Sequence, residues 1–211
     1  MRLSFLFYII PFFLFSQQNK TFEGKLIYQV NFVDSINFHN NFAYEMKIFT
    51  NDTLVRIETE SVQLGKQILI KHLIRQKYYV LLEYEEQKYA IQHHILPDST
   101  KNKTSFKYTF KKKNVNNLRL KKVKVRYLNK DINEIFVYPK ISSKYVDVFK
   151  GIKGLPAIYS LPTEMGTYTY ELKSVVEEKC PIDLFGIPSD YKKISFDQFI
   201  NEITNKKESE K

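Results

Sequence analysis

The stretch KLIYQVNFV, residues 25–33, alternates apolar and polar side chains with a period of two. Successive side chains of an extended strand point to opposite faces, so this pattern is typical of a strand with one face buried and the other in water. The face that the pattern predicts to be buried carries Leu26, Tyr28, Val30 and Phe32. This stretch predicts a half-buried antiparallel strand rather than a helix.

The same period recurs along most of the chain. Ten further segments share it: AYEMKIF, TLVRIETES, KQILIKHLI, KYYVLLEY, QKYAIQHHI, SFKYTFK, KVKVRYL, INEIFVYP, PAIYSL and GTYTYELKSVV. Short connectors such as TNDT and LNKDIN carry the Asn and Asp residues typical of hairpin turns. We therefore predict a mainly β protein, an antiparallel curled sheet or half-open β-barrel of about 10 to 11 strands.

A single helix is predicted at the C-terminal end. In ISFDQFINEIT, Ser195 is a candidate N-cap and Gln198 its capping-box partner, and apolar residues follow at helical spacing. We expect one domain over residues 20–204 and a charged tail over residues 205–211.

The N-terminal segment MRLSFLFYIIPFFLFS, residues 1–16, has one basic residue, Arg2, followed by an apolar run. It predicts a cleaved signal peptide, because a membrane span needs about 20 apolar residues; an uncleaved anchor is the alternative. The expected location is the periplasm or outside the cell, without a lipoprotein anchor, since no cysteine follows the run. The chain's one cysteine, Cys180, cannot form an intramolecular disulfide, so we expect it to be buried and the core to hold the fold.

The chain is basic, with a net charge of +10, and residues 101–130 contain ten lysines, two arginines and no acidic residue. Nucleic acid would be the usual partner of such a stretch, but export would exclude it. These charged residues either lie on the solvent-exposed faces of strands or form a surface that binds anionic lipid headgroups, lipopolysaccharide or an acidic protein. The candidate basic surface consists of Lys107, Lys111, Lys122, Lys124 and Arg126.

The segment FKGIKGLPAIYSLP, residues 149–162, concentrates glycine and proline in a chain with six glycines and seven prolines. The two glycines allow positive φ, and Pro156 disfavours helix at Leu155, so a tight turn leading into a strand is expected. GLPAIY resembles the signature of the GLPGLI family, which is found in exported proteins of Bacteroidetes, and LFGIPSDYKKIS resembles that family's closing Phe-x-x-Pro-x-x-Tyr segment. The residues that carry the resemblance are Gly154, Leu155, Pro156, Ala157, Ile158, Tyr159, Phe185, Pro188 and Tyr191. The resemblance implies an envelope location and, by its overall shape, a fold similar to the LolA-like half-open barrel.

Aromatic residues lie on many of the predicted strands, in phase with aliphatic neighbours. They either fill the core or line a groove that holds a hydrophobic ligand. The candidate groove consists of Tyr28, Tyr44, Phe106, Tyr108 and Phe110.

The sequence contains no Gly-x-Ser-x-Gly, His-Glu-x-x-His or phosphate-loop motif, so it does not predict an enzyme, a metal site or a cofactor. The favoured hypothesis is a non-catalytic binding or carrier module for a lipid or other hydrophobic ligand. The alternative is an accessory subunit that docks on an outer-membrane protein complex through the basic surface, peripheral to the membrane.

Overall fold

A computed structural model describes residues 21–35, 41–61, 65–84, 86–94, 104–127, 130–146 and 148–209 of the chain. The predicted signal peptide at residues 1–16 lies outside the described residues. Twelve strands and one α-helix account for most of the described chain: β1 (Glu23–Asp34), β2 (Phe42–Asn51), β3 (Leu54–Ser61), β4 (Gly65–His72), β5 (Lys77–Tyr84), β6 (Gln87–His94), β7 (Ser105–Val115), β8 (Leu118–Tyr127), β9 (Lys130–Tyr138), β10 (Leu155–Pro162), β11 (Gly166–Glu177), β12 (Lys192–Ser195) and α1 (Phe196–Ser209).

All strands belong to one sheet with the order β12-β6-β5-β4-β3-β2-β1-β11-β10-β9-β8-β7. Two antiparallel meanders, β1 to β6 and β7 to β11, meet where β1 pairs with β11. Neighbours within each meander are consecutive in the chain, and short described loops join β2 to β3, β4 to β5, β7 to β8 and β10 to β11. At Asn116 and Asn117 both φ angles are positive, as a two-residue hairpin loop requires.

The prediction of a mainly β fold with a short C-terminal helix is confirmed. The sheet is not closed into a barrel, which agrees with the expected curled or half-open form. It differs from the expected antiparallel sheet in one respect: it is mixed and has twelve strands, because β12 pairs in parallel with β6. A strand of four residues that pairs with a distant segment leaves no alternation to recognise. The helix also continues to Ser209, so it includes most of the expected tail at residues 205–211.

The alternation seen at residues 25–33 defines the two faces of the sheet. We call the face that carries Leu26, Tyr28 and Val30 the inner face; these three side chains are completely buried. The cross-strand partners of Leu26 and Tyr28 on β2 are Ile48 and Met46, which are buried as well. The main core of the protein therefore lies against the inner face.

The connection between β9 and β10 fills part of this face. We call its described residues, 139–146 and 148–154, the plug. The plug contributes five buried apolar side chains to the main core: Ile141, Tyr145, Val146, Phe149 and Ile152. It covers the end of the inner face at which β9 ends and β10 begins.

Tyr145 fastens the plug to the rest of the sheet. Its side chain is completely buried, and its hydroxyl accepts a hydrogen bond from the Phe22 backbone N–H at 3.1 Å. The same hydroxyl lies 2.9 Å from Asp52 Oδ1, to which it can donate. Asp52 also forms an ion pair with Lys144. One side chain of the plug thus holds the start of β1 and the turn between β2 and β3.

The GLPAIY segment is the junction between the plug and β10. Gly154 has a φ of 95°, and an added Cβ would lie 3.1 Å from the Tyr138 carbonyl oxygen, so glycine suits both the backbone and the space. The Pro156 carbonyl accepts a hydrogen bond from the buried Tyr28 hydroxyl at 2.7 Å. Leu155, Ala157 and Tyr159 are buried in the main core. In this structure the segment therefore has a structural role.

Two smaller covers complete the fold. On the outer face, Ile187 and Tyr191 pack on a cluster formed by Ile68, Ile70, Leu81 and Ala90. On the inner face, Phe199 of α1 packs on a cluster formed by Tyr89, Ile91 and Ile194. The Ser195 N–H donates to Gln198 Oε1 at 2.8 Å and the Gln198 N–H donates to Ser195 Oγ at 3.2 Å, which confirms the predicted capping box.

Candidate ligand-binding face

The residues of the plug do not cover the other end of the inner face. Four half-buried aromatic side chains lie there, Phe42 and Tyr44 on β2 and Tyr168 and Tyr170 on β11. We call these four residues the aromatic face. They are at the far end because Tyr168 pairs with Leu161 near the end of β10, whereas the plug joins the beginning of that strand.

The register of the central strands explains why these four side chains meet. Phe32 on β1 pairs with Phe42 on one side and with Tyr168 on the other. Val30, two residues earlier, pairs with Tyr44 and with Tyr170. Two cross-strand rows therefore lie side by side on the inner face.

Ring contacts bind the rows together. The Phe32 ring centroid lies 4.9 Å from that of Phe42 and 4.7 Å from that of Tyr168. The Tyr170 ring stacks on Tyr159 of β10 at 4.6 Å with an interplanar angle of 7°. Phe32 and Tyr159 are buried, so they form the floor on which the four half-buried rings stand. Rings held by neighbours in this way present a surface that is ordered before any ligand arrives.

Two hydroxyls of the aromatic face, those of Tyr44 and Tyr170, are neutral, because their pKa values are raised. Burial raises the pKa of Tyr44 above its ordinary value, and the neighbouring Tyr170 and Tyr168 raise it further. Burial also raises the pKa of Tyr170, which hydrogen-bonds with Tyr44. Neither row contains a charged residue, so this face offers aromatic surface and neutral hydroxyl groups and suits an apolar or amphipathic ligand.

The five residues of the predicted groove lie in different places. Tyr44 belongs to the aromatic face, whereas Tyr28 is completely buried in the core. Phe106, on β7, is half-buried and packs against the main core. Tyr108 and Phe110 lie farther along β7, at 42% and 102% exposure.

Sequence reasoning did not place Phe42, Tyr168 and Tyr170 in the candidate groove. The period-two patterns of FAYEM and GTYTYE mark their strands, but no local signal shows that β2 and β11 flank the same strand.

A depression lies beside the plug, at the edge of the sheet. We call it the edge cleft. Its volume is about 530 Å³, and its lining includes Tyr108, Phe110, Lys112, Lys121 and Lys153. The Tyr108 hydroxyl accepts a hydrogen bond from the Lys153 backbone N–H at 2.6 Å, which joins β7 to the end of the plug.

The predicted basic surface is partly neutralised by an acidic residue on β9. Lys122 and Lys124 both form ion pairs with Glu134. The hydrogen bond from Lys122 is the main cause that lowers the pKa of Glu134, and the charges of Lys122, Lys124 and Lys111 add to it. Lys107, on β7, and Arg126, on β8, are exposed. Two of the five predicted positive charges therefore share one carboxylate, and a third, Lys111, lies close enough to influence its pKa.

The remaining motif residues and the cysteine lie in packed surroundings. Phe185 is buried, Tyr191 packs on the outer-face cluster, and the Pro188 carbonyl accepts a hydrogen bond from the Tyr191 N–H at 3.2 Å. Cys180 is buried, and burial raises the pKa of its thiol. These positions stabilise the fold around the sheet.

Within the described ranges, no three His, Cys, Asp or Glu side chains lie close enough together to hold a metal ion. His72 and His93 lie on β4 and β6, with β5 between them. Among the same residues, no helix combines the length and the apolar character that a membrane crossing requires.

No protein-family model matches the sequence, and neither does any curated protein. Among solved structures, the chain is similar to PNGF-II, with a TM-score of 0.47 and 11% identity over 83% of this chain and 32% of the other, so it spans about a third of that protein's length. It is also similar to a LolA superfamily protein from Nitrosomonas europaea, with a TM-score of 0.40 and 7% identity over 79% of this chain and 91% of the other. Both likenesses are partial, and the proposals below depend on this chain's own side chains.

Proposed function

We propose that this protein is a non-catalytic binding protein that holds an acyl chain or a similar apolar group on the aromatic face. The observation that carries the proposal is the set of four adjacent, half-buried aromatic side chains, Phe42, Tyr44, Tyr168 and Tyr170, on the part of the inner face beyond the plug. Aromatic side chains bury large areas on contact with an apolar ligand, about 150–250 Å² each when fully buried.

The plug determines how such a ligand lies. Because Tyr145, Phe149 and Ile152 fill the adjoining part of the inner face, the ligand lies across the half-buried rings of the aromatic face and is not enclosed by the sheet. About −0.3 kcal/mol per non-hydrogen atom, a typical value for larger ligands, gives roughly −5 kcal/mol for a chain of about 18 atoms, or a Kd on the order of 0.1 mM. This affinity suits reversible carriage.

We also propose that the protein is exported and resides in the cell envelope as a GLPGLI-type protein. The apolar run at residues 1–16 and the GLPAIY signature support this proposal. Lipids with acyl chains are abundant in that compartment, so the proposed location and the proposed ligand agree.

The test is a titration of the protein, expressed without residues 1–16, with the fluorescent fatty acid 11-(dansylamino)undecanoic acid. We expect saturable binding that Tyr44→Ala and Tyr168→Ala each weaken by roughly five- to tenfold, because each removes one ring contact. Tyr44→Phe keeps the ring and should retain most of the affinity. The matched control is Tyr191→Ala, which removes a half-buried tyrosine ring from the outer face.

Circular dichroism must show that each variant is folded at the assay temperature. If the probe does not bind saturably, or if Tyr191→Ala weakens binding as much as Tyr44→Ala and Tyr168→Ala do, the aromatic face is not the site and the proposal fails.

A further inference from the structure

We propose that the edge cleft docks the protein on an anionic lipid bilayer, with Phe110 inserted among the lipids and Lys112, Lys121 and Lys153 in contact with phosphate headgroups. This site is separate from the aromatic face and does not depend on the function proposed above. The argument rests on the exposure of Phe110, on a pair of facing lysines and on the position of the cleft at the edge of the sheet.

Phe110 is the first observation. Its side chain is fully exposed on β7 and is the most exposed large apolar side chain in the described part of the chain. It lines the edge cleft together with Tyr108. An exposed aromatic side chain surrounded by basic residues is typical of proteins that bind at the membrane interface, where the ring enters the lipid and the charges stay at the headgroups.

The pairing of Lys112 with Lys121 is the second observation. These residues lie directly opposite each other on β7 and β8, and both line the edge cleft. Like charges in directly opposed positions destabilise a sheet, so an anion between them would relieve a repulsion that the free protein carries. Lys153, from the plug, adds a third positive charge to the same cleft.

The carboxylates of the described chain do not neutralise this cleft. Lys112, Lys121 and Lys153 form no ion pair with any described acidic residue, whereas Lys122 and Lys124 share Glu134. The two sets of lysines therefore differ, although Lys112 and Lys121 come from the same basic stretch, residues 101–130, as Lys122 and Lys124. The unneutralised set is the one beside the exposed aromatic ring.

The location of the cleft favours a surface over a small solute. β7 is an edge strand of the sheet, so a flat bilayer can reach it from the side. A free anion would satisfy the lysines but would leave the exposed Phe110 ring in water. A bilayer with anionic headgroups satisfies both at once.

The test is co-sedimentation of the protein, expressed without residues 1–16, with phosphatidylcholine vesicles that contain or lack phosphatidylglycerol. We expect binding to the anionic vesicles that weakens as salt is added. Lys121→Ser should weaken it about fivefold, since each lysine near such a surface contributes on the order of 1 kcal/mol. Phe110→Ser should weaken it about tenfold, the effect of partly burying one aromatic ring.

Two controls match these variants. Lys193→Ser removes an exposed lysine from β12, at the opposite edge of the sheet, and Ile74→Ser removes an exposed apolar side chain from the turn between β4 and β5. Both should bind anionic vesicles as the unmodified protein does. All four substituted side chains are exposed or line an open cleft, so folding should survive, and thermal melting checks it.

Three results would overturn the proposal. The first is that the protein does not bind the anionic vesicles. The second is that Lys193→Ser weakens vesicle binding as much as Lys121→Ser does. The third is that Phe110→Ser binds the vesicles as the unmodified protein does and that inorganic phosphate abolishes this binding completely. The last result would assign the cleft to a free anion. Tyr44→Ala should leave vesicle binding unchanged, so failure here is distinguishable from failure of the proposed function.

Discussion

The Tyr145 hydroxyl fastens the plug, and removing it by Tyr145→Phe should lower the free energy of unfolding substantially. The substitution keeps the ring and its edge-on contact with Phe22, whose centroid lies 6.0 Å away. It leaves the buried Phe22 N–H without its 3.1 Å acceptor. An unsatisfied buried polar group costs about 1–3 kcal/mol.

The contact with Asp52 adds a smaller loss, because this half-buried carboxylate keeps its ion pair with Lys144. We therefore expect a total loss of about 2–4 kcal/mol. For a domain of about this size, a loss of 3 kcal/mol lowers the Tm by about 6–12 °C.

The assay is urea unfolding followed by circular dichroism, with the slope of the transition held common to all variants. The matched control is Tyr79→Phe, which removes a half-buried hydroxyl that donates to Gln92 Oε1 at 3.1 Å on the outer face. Its loss should be below about 1 kcal/mol, because water can replace the partner. A loss for Tyr145→Phe no larger than that of Tyr79→Phe would refute the role of Tyr145 as the plug's fastening.

Three further predictions concern single positions. Gly154→Ala should lower the urea midpoint of unfolding more than Gly151→Ala does. Both glycines have positive φ, but only a Cβ at residue 154 would meet backbone atoms. Equal midpoints for the two variants would contradict the close packing of Gly154 against the end of β9. Burial raises the pKa of Asp52, but hydrogen bonds from Lys144 and a neighbouring tyrosine lower it more, so the net pKa lies below its ordinary value. The stability that this carboxylate contributes is therefore present above its unfolded-state pKa of about 3.9 and is lost as the pH falls below that value. Asp52→Asn should therefore reduce the slope of the unfolding free energy against pH in that acid range. Because burial raises the pKa of the Cys180 thiol, iodoacetamide should label it slowly at neutral pH in the native protein and rapidly in urea, and equal rates would show that the thiol is accessible.

The two proposed surfaces lie on different parts of the sheet and perform separable tasks. The aromatic face belongs to the central strands and is neutral, whereas the edge cleft belongs to the outermost hairpin and is positively charged. A protein that docks through the edge cleft would keep the aromatic face free to receive an acyl chain. Tyr44→Ala and Lys121→Ser should therefore impair probe binding and vesicle binding independently.

The plug was the main feature that local patterns did not predict. The segment FKGIKGLP predicts a turn, and the structure has a turn there. The sequence does not show that residues 139–146 and 148–154 fold back over the inner face. Burial of Tyr145, Phe149 and Ile152 depends on contacts with strands that are far away in the chain. The predicted groove was assigned to aromatic strands without this cover, which is why Tyr28 was expected to line it.

The sequence by itself determined the eleven longer strands and the capping box of Ser195 and Gln198. These features depend on side-chain period and on backbone preference within a few residues, so they can be recognised locally. Tertiary structure decided the pairing of β1 with β11, the parallel addition of β12 and the meeting of Phe42 with Tyr168 across Phe32. Such pairings join segments that are far apart in the chain, and they form only because packing of the whole inner face compensates for the entropy lost in closing long loops.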